Sequence, residues 1–371
     1  MKVLILSCDT GEGHNSAARA FLEYLQTLRI ECELIDTLSL VSPAVSQRAS
    51  DLYVFSTRTS LFKLLYQAGS MISNNKSMSA VYFANKLYSG KLLKYIKVHS
   101  YDMIVCTHLF PAEALTSLIR AGELSARTLF IMTDYTCIPF MEETQLDYYI
   151  VPHDHLIEEC VKRGLPREKL LPYGIPVKQS FYSALSKGDA RMECKHLFGE
   201  RINTDEKWFL MMSGSMGFGN LKCLIQQIID ECEKNIEVFI VCGNNVKLQK
   251  NLTAKFSDKE NITILGFTDR ISTLMDACDV LFTKPGGLSS TEAAAKRIPI
   301  IHTDPIPGCE TKNAMFFHYH GMSYSSADPH EQVRRALRLC NDQDYRKKMI
   351  SCQEDNINRD SCKDILNICN K

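Results

Sequence analysis

Short apolar runs alternate with amphipathic stretches along nearly the whole chain. In the first half the runs are KVLILS, CELID, DMIVCTH, TLFIMTD and DYYIVP; in the second they are WFLMMSG, EVFIVCG, ITILGF, DVLFTKPGG and IPIIHT. Runs with little polar interruption suit strands buried on both faces, and strands separated by helical patterns pair in parallel. Between the first two runs, Ala17, Ala18, Phe21, Leu22, Leu25 and Leu28 recur at helical spacing and predict a helix over 16–28 with one buried face. The expectation is an α/β chain with two sheet systems of similar size, joined after LPYGIPV near residue 177. Residues 178–207 read as polar and helical, and 331–371 as charged helix with no strand.

Composition narrows the class. A chain of 371 residues exceeds what one core absorbs, which agrees with two domains. The formal net charge is zero, so no global attraction to nucleic acid is expected. Fifteen cysteines are scattered without a C-x-x-C pair, which reads as reduced, core-packed thiols and not as a zinc site. No apolar stretch reaches the roughly 20 residues that span a bilayer, and the first residues lack a signal-peptide pattern. The expected location is cytoplasmic, peripheral on the membrane's cytoplasmic face. Residues 49–98 stand apart: Asp51 is the sole acid against Arg58, Lys63, Lys76, Lys86, Lys91, Lys94 and Lys97, with aromatic and aliphatic residues interleaved. That pattern fits a basic amphipathic helix pair on an anionic lipid surface, or a helical insertion packed on its domain. The charge asymmetry favours the first.

Four strand-to-helix turns carry candidate chemistry. In SCDTGEGHNSAARAF, Gly11, Gly13 and the small Ser16, with Asp36 ending the next run, nearly reproduce a dinucleotide-binding turn. His14 spoils that match, because its ring would crowd a pyrophosphate. At a helix amino end an imidazole is kept neutral and can act as a general base; the alternative is a histidine that only hydrogen-bonds its loop. In TKPGGLSSTEAAA, Lys284, Gly286 and Gly287 lead to the hydroxyls of Ser289, Ser290 and Thr291, an anion cradle at a helix start. Glu292 is placed to hold a ribose diol, or to form a capping box with Ser289. MMSGSMGFGNL, with Ser213 and Gly217, allows close approach of backbone to a diphosphate, and PGCETKN presents Glu310 and Asn313 to sugar hydroxyls. Metal alternatives are poor: Asp342 and Asp344 follow no strand, and His153 and His155 lack an evident third ligand.

Taken together, DTGEGHNSAA, TDYTCIP, GIPV, MMSGSMGFGNL, VCGNN, GFTDRI, TKPGGLSSTEA and PGCETKN resemble the diacylglycerol glycosyltransferases in order and approximate spacing over residues 1–320. The resemblance implies a GT-B fold, with two Rossmann-like domains (1–177 and 178–345) facing across a cleft and a last helix, 346–371, returning to the first. It implies inverting, metal-independent transfer of a hexose from a UDP-sugar to a diacylglycerol-type lipid at an anionic membrane surface. No cofactor is expected. His14 then becomes the base; Asp134, from its own position at the end of a strand run, is expected to orient it. Contacts to the UDP-sugar fall to Gly13, Ser213, Gly217, Gly243, Phe267 beside the uracil, Lys284, Gly286, Gly287, Ser289, Ser290, Thr291, Glu292, Glu310 and Asn313. Arg58, Lys63, Lys86, Lys91, Lys94 and His108 fall on the acceptor and membrane side. One departure lies on that side: the family's histidine and tryptophan after Thr-Asp are replaced by Ile138, Phe140 and Met141. The alternatives are a UDP-GlcNAc transferase acting on another lipid-linked acceptor, and a non-catalytic, membrane-bound UDP-sugar sensor.

Overall fold

The structure is a computed structural model that describes residues 1–8, 12–40, 42, 78–212, 221–232 and 235–368. The chain divides into two compact units: Met1–Gln179 with Pro307–Cys309 and Asn358–Lys371, and Ser180–Ile306 with Glu310–Ile357.

The first unit holds six parallel strands: β1 (Lys2–Ser7), β2 (Glu31–Asp36), β3 (Met103–Cys106), β4 (Arg127–Ile131), β5 (Tyr148–Ile150) and β6 (Leu170–Leu171). Their order is β2-β1-β3-β4-β5-β6. Val3 to Leu6 and Met103 to Cys106 are wholly buried, as expected for strands covered on both faces. The helix Glu12–Thr27 buries Ala17, Ala18, Ala20, Phe21 and Leu25. Leu28, expected on that face, lies beyond the last helical residue and is 48% exposed. Near the carboxyl end, the helix Gln343–Asn356 stays with the second unit, while the helix Ser361–Asn367 joins the first. Cys362, Ile365 and Ile368 pack there beside Val3, Ile5, Leu25 and Leu129. The GIPV turn explains its glycine: Gly174 has φ +82, and a Cβ on it would meet the Asn358 Cβ at 3.3 Å. Asn358 Nδ2 donates to the Tyr173 carbonyl at 3.0 Å and Ser361 Oγ to that of Gly174 at 3.0 Å, so the returning chain is stitched to this turn.

The second unit repeats the plan with β7 (Lys207–Met212), β8 (Ile236–Val241), β9 (Ile262–Leu265), β10 (Val280–Thr283), β11 (Ile300–His302) and β12 (Tyr324–Ser325), in the order β12-β11-β10-β7-β8-β9. The strands β6 and β12 are the two that the apolar pattern does not announce; each has two residues. In both sheets the order reverses once, between β1 and β3 and between β7 and β10. Ligands of open parallel sheets bind at the carboxyl ends of strands flanking such a reversal.

Candidate active site

At the first reversal, β1 leads toward the helix bearing His14 and β3 leads into Thr107 and His108. His14, in that helix's first turn, bonds through Nδ1 to the Thr107 carbonyl at 2.8 Å and to Thr133 Oγ1 at 2.7 Å. A carbonyl can only accept, so Nδ1 carries the proton and the lone pair is left on Nε2. Burial pushes the His14 pKa down, opposed by the Asp134 carboxylate and by the Thr107 bond. Its ring meets that of His108 edge-on, with centroids 4.8 Å apart. His108 caps the helix Leu109–Arg120, its Nδ1 accepting the Phe110 N–H at 3.2 Å. Burial, and then His14, hold His108 well below the ordinary histidine range. Both imidazoles are therefore neutral at pH 7.

Two residues of this constellation are absent from the sequence expectation. Thr107 and Thr133 hold the ring, while Asp134 acts on it through charge. The signal available was a threonine directly beyond each of two apolar runs, in MIVCTH and FIMTD. Asp36 turns back on its own chain, its Oδ1 accepting the Leu38 N–H at 3.1 Å. Gly13 lies inside the helix and not in a loop before it.

The basic stretch is described from residue 78 onward; Arg58 and Lys63 lie outside the described residues. The helices Ala80–Lys86 and Ser89–His99 bury Tyr82, Leu92 and Ile96 and expose Lys86, Lys91 and Lys94. Phe83, Leu87 and Val98 are also exposed, Leu87 by 88%. Both sequence readings of this stretch thus have a face: one side packs on the domain, and the other presents lysines with apolar side chains.

At the second reversal, β7 runs into the 213–220 segment, so Ser213 and Gly217 fall outside the described residues. The strand β10 ends before Lys284, and the helix Gly287–Ala295 begins after Gly286, its side-chain-free N-cap. Ser289 is therefore the third helical residue, and the capping box with Glu292 does not form. Among the described residues no N-cap side chain accepts from the first N–H groups, which are left directed out of the helix end. This register also divides the expected ligands. Ser289 and Glu292 are half-buried on the outer face, whereas Ser290 and Thr291 turn inward. Ser290 Oγ bonds His302 Nε2 at 3.0 Å, and Thr291 Oγ1 donates to the Gly287 carbonyl at 2.7 Å. Lys284 is nearly buried and pairs with Glu310 Oε1 at 2.9 Å, while Glu310 Oε2 accepts the Ile306 N–H at 2.7 Å. Glu310 thus braces the lysine and its own loop. Asn313 is fully buried in the helix Cys309–Tyr319, beside Ala314 and Phe317. Gly243, with φ +55, turns the chain after β8. Phe267 follows β9 and is 75% exposed, an aromatic face open to a planar partner.

Two six-stranded parallel sheets, each reversing its strand order once, make up a GT-B-like fold. Solved structures share this fold: MurG of Acinetobacter baumannii, with a TM-score of 0.64 at 14% identity, covers 100% of this chain and 99% of its own. HepE of Anabaena, solved with UDP and glucose, gives a TM-score of 0.59 at 13% identity, covering both chains completely. Within that class, residues 14–177 match the Monogalactosyldiacylglycerol (MGDG) synthase family and residues 198–354 match Glycosyl transferases group 1, so the chain joins an MGDG-synthase domain to a group 1 glycosyltransferase domain. The diacylglycerol glycosyltransferase resemblance is thereby borne out. Processive diacylglycerol beta-glucosyltransferases are similar over most of their length: that of Bacillus subtilis at 27% identity over 94% of this chain and 89% of its own, and that of Staphylococcus saprophyticus at 26% over 100% and 93%.

Proposed function

We propose that this enzyme transfers a hexose, glucose or galactose, from a UDP-sugar to the hydroxyl of a diacylglycerol-type membrane lipid, with inversion and without a metal ion. The observation that carries this reading is the tautomer of His14: with Nδ1 held by Thr107 and Thr133, the lone pair sits on Nε2. In this reading Nε2 takes the acceptor's hydroxyl proton as that oxygen attacks the anomeric carbon. The bond to UDP breaks on the opposite face, and the Asp134 carboxylate steadies the imidazolium that forms. Negative charge growing on the departing diphosphate is met by the amide N–H groups at the Gly287–Ala295 helix start, with Lys284 beneath them. Phe267 stacks on the uracil, Glu292 takes the ribose diol and Ser289 a phosphate oxygen. Lys86, Lys91 and Lys94, together with the exposed Phe83 and Leu87, dock on an anionic lipid surface where the acceptor resides. Among the described residues no helix is long and apolar enough to cross a membrane, and such docking requires none.

The test is incubation with radiolabelled UDP-glucose, UDP-galactose or UDP-GlcNAc and diacylglycerol in anionic vesicles, with and without EDTA. Label from a UDP-hexose should enter the organic phase, survive the chelator and vanish in His14→Ala. Label from UDP-GlcNAc alone would replace the hexose. Bound UDP with no label transferred would mark a sensor, loss with EDTA would remove metal independence, and full turnover in His14→Ala would remove the base.

A further inference from the structure

At the carboxyl end of β11, in an otherwise apolar run, His302 is fully buried. A leucine would fill such a position without any polar group to satisfy. Instead both ring nitrogens are used: Nε2 meets Ser290 Oγ at 3.0 Å and Nδ1 meets Ser323 Oγ at 3.0 Å. A neutral imidazole has one N–H and one lone pair, and a serine hydroxyl can serve either, so the Ser–His–Ser chain is satisfied in both directions. Burial, reinforced by His318, lowers the ring's pKa to about 3 and keeps it neutral.

The elements that converge on this ring matter more than the ring itself. Ser290 lies in the first turns of the Gly287–Ala295 helix, the one whose N-cap offers no side chain. Phe317, whose ring meets the imidazole edge-on at 5.5 Å, belongs to the helix Cys309–Tyr319 that carries Glu310. In the sheet His302 is in register with Thr283, the residue before Lys284. One buried ring thus ties together the helix start, the Glu310 helix and the strand beneath Lys284. Fully satisfied buried polar networks rigidify their surroundings.

We infer that His302 is a positioning residue for the sugar donor: through Ser290 it fixes the amino end of the Gly287–Ala295 helix where the diphosphate is to be held. The inference rests on the UDP-sugar reading above, and UDP itself is the probe. His302→Phe keeps the ring and removes both bonds; His302→Gln can again donate and accept; Ser290→Ala cuts only the link to the helix. Calorimetry should show wild type binding UDP, His302→Phe binding about tenfold more weakly or worse, and His302→Gln recovering most of the loss. Ser290→Ala should weaken UDP by about threefold or more, and KM for the donor should rise while kcat at saturating donor stays within about threefold. UDP affinity equal to wild type in His302→Phe would overturn the inference, whatever happens to its melting temperature. Should that variant fail to fold, unchanged affinity in Ser290→Ala overturns it equally. A wild-type protein that does not bind UDP would instead refute the donor reading itself.

Discussion

Glu113 offers a test of the first unit's electrostatics that needs no substrate. It is fully buried in the helix Leu109–Arg120, which His108 caps. Its Oε2 accepts the Asn85 amide at 2.6 Å, and its Oε1 has no hydrogen-bond partner among the described residues. Burial lifts its pKa from 4.5 to about 8; the Asn85 bond pulls down, and Glu143 and Glu142 push further up. The native protein therefore keeps a proton that the unfolded chain releases, and between those two values stability falls as pH rises. The gap, about 3.5 units at roughly 1.4 kcal/mol each, sets a ceiling of about 5 kcal/mol, lost in full above pH 8. Glu113→Gln keeps the shape and an acceptor for Asn85 but cannot ionise. It should match wild type near pH 5 and exceed it by several kcal/mol at pH 9. Trp208, the sole tryptophan, lies in the second unit, so its fluorescence follows that unit while circular dichroism follows both. Urea unfolding at pH 5, 7 and 9 should show the pH-dependent gain in circular dichroism, with the Trp208 transition unmoved. Parallel pH dependence in the two proteins would refute the argument.

Other consequences follow from the same contacts. With His14 as the proposed base and its pKa shifted down by burial, the acidic limb of kcat/KM should lie below 6.5; His14→Ala should lose about 10²–10⁴-fold in kcat. Asp134 raises the His14 pKa, so Asp134→Asn should move that limb further toward acid, and a move toward neutrality would contradict the assignment. Thr133→Val removes one of the two bonds to Nδ1 and should cost about three- to tenfold in kcat, with UDP affinity unchanged by calorimetry. Asp276→Ala strips the carboxylate from buried Lys296, 2.6 Å away, and should destabilise the second unit by about 3–5 kcal/mol in Trp208-monitored unfolding.

The contrast between what the sequence discloses and what it hides follows from the range of the interactions involved. Ten of the twelve described strands are legible as short runs set between helical patterns, most of them apolar and buried; β6 and β12 have two residues each and leave no pattern. The turn at the second reversal, leading to Gly287, is legible because strand, glycine and helix are contiguous. Side-chain direction beyond that turn is not. Whether Ser290 and Thr291 face a ligand or the core depends on where the helix starts, and Gly286, not Ser289, is its N-cap. A shift of a few positions along a helix rotates every later side chain by roughly 100° per residue.

The remaining unread features are pairings at a distance. Thr107 and Thr133 reach His14 from 93 and 119 positions away, and Glu310 braces Lys284 from 26. No local rule connects such residues; the parallel sheet does, by bringing the carboxyl ends of non-consecutive strands side by side. The same topology explains why the candidate chemistry collects where it does. A reversal in strand order leaves a gap at the sheet's carboxyl edge that no crossover helix fills. In the first unit the structure lines that gap with a histidine whose proton is fixed on Nδ1, and in the second with a helix start stripped of its cap. Only the second lining is costly as pure structure, since it leaves helix donors without a side-chain acceptor among the described residues. That cost fits a place where a diphosphate is held, as the lone pair left on the His14 ring fits one where a hydroxyl loses a proton.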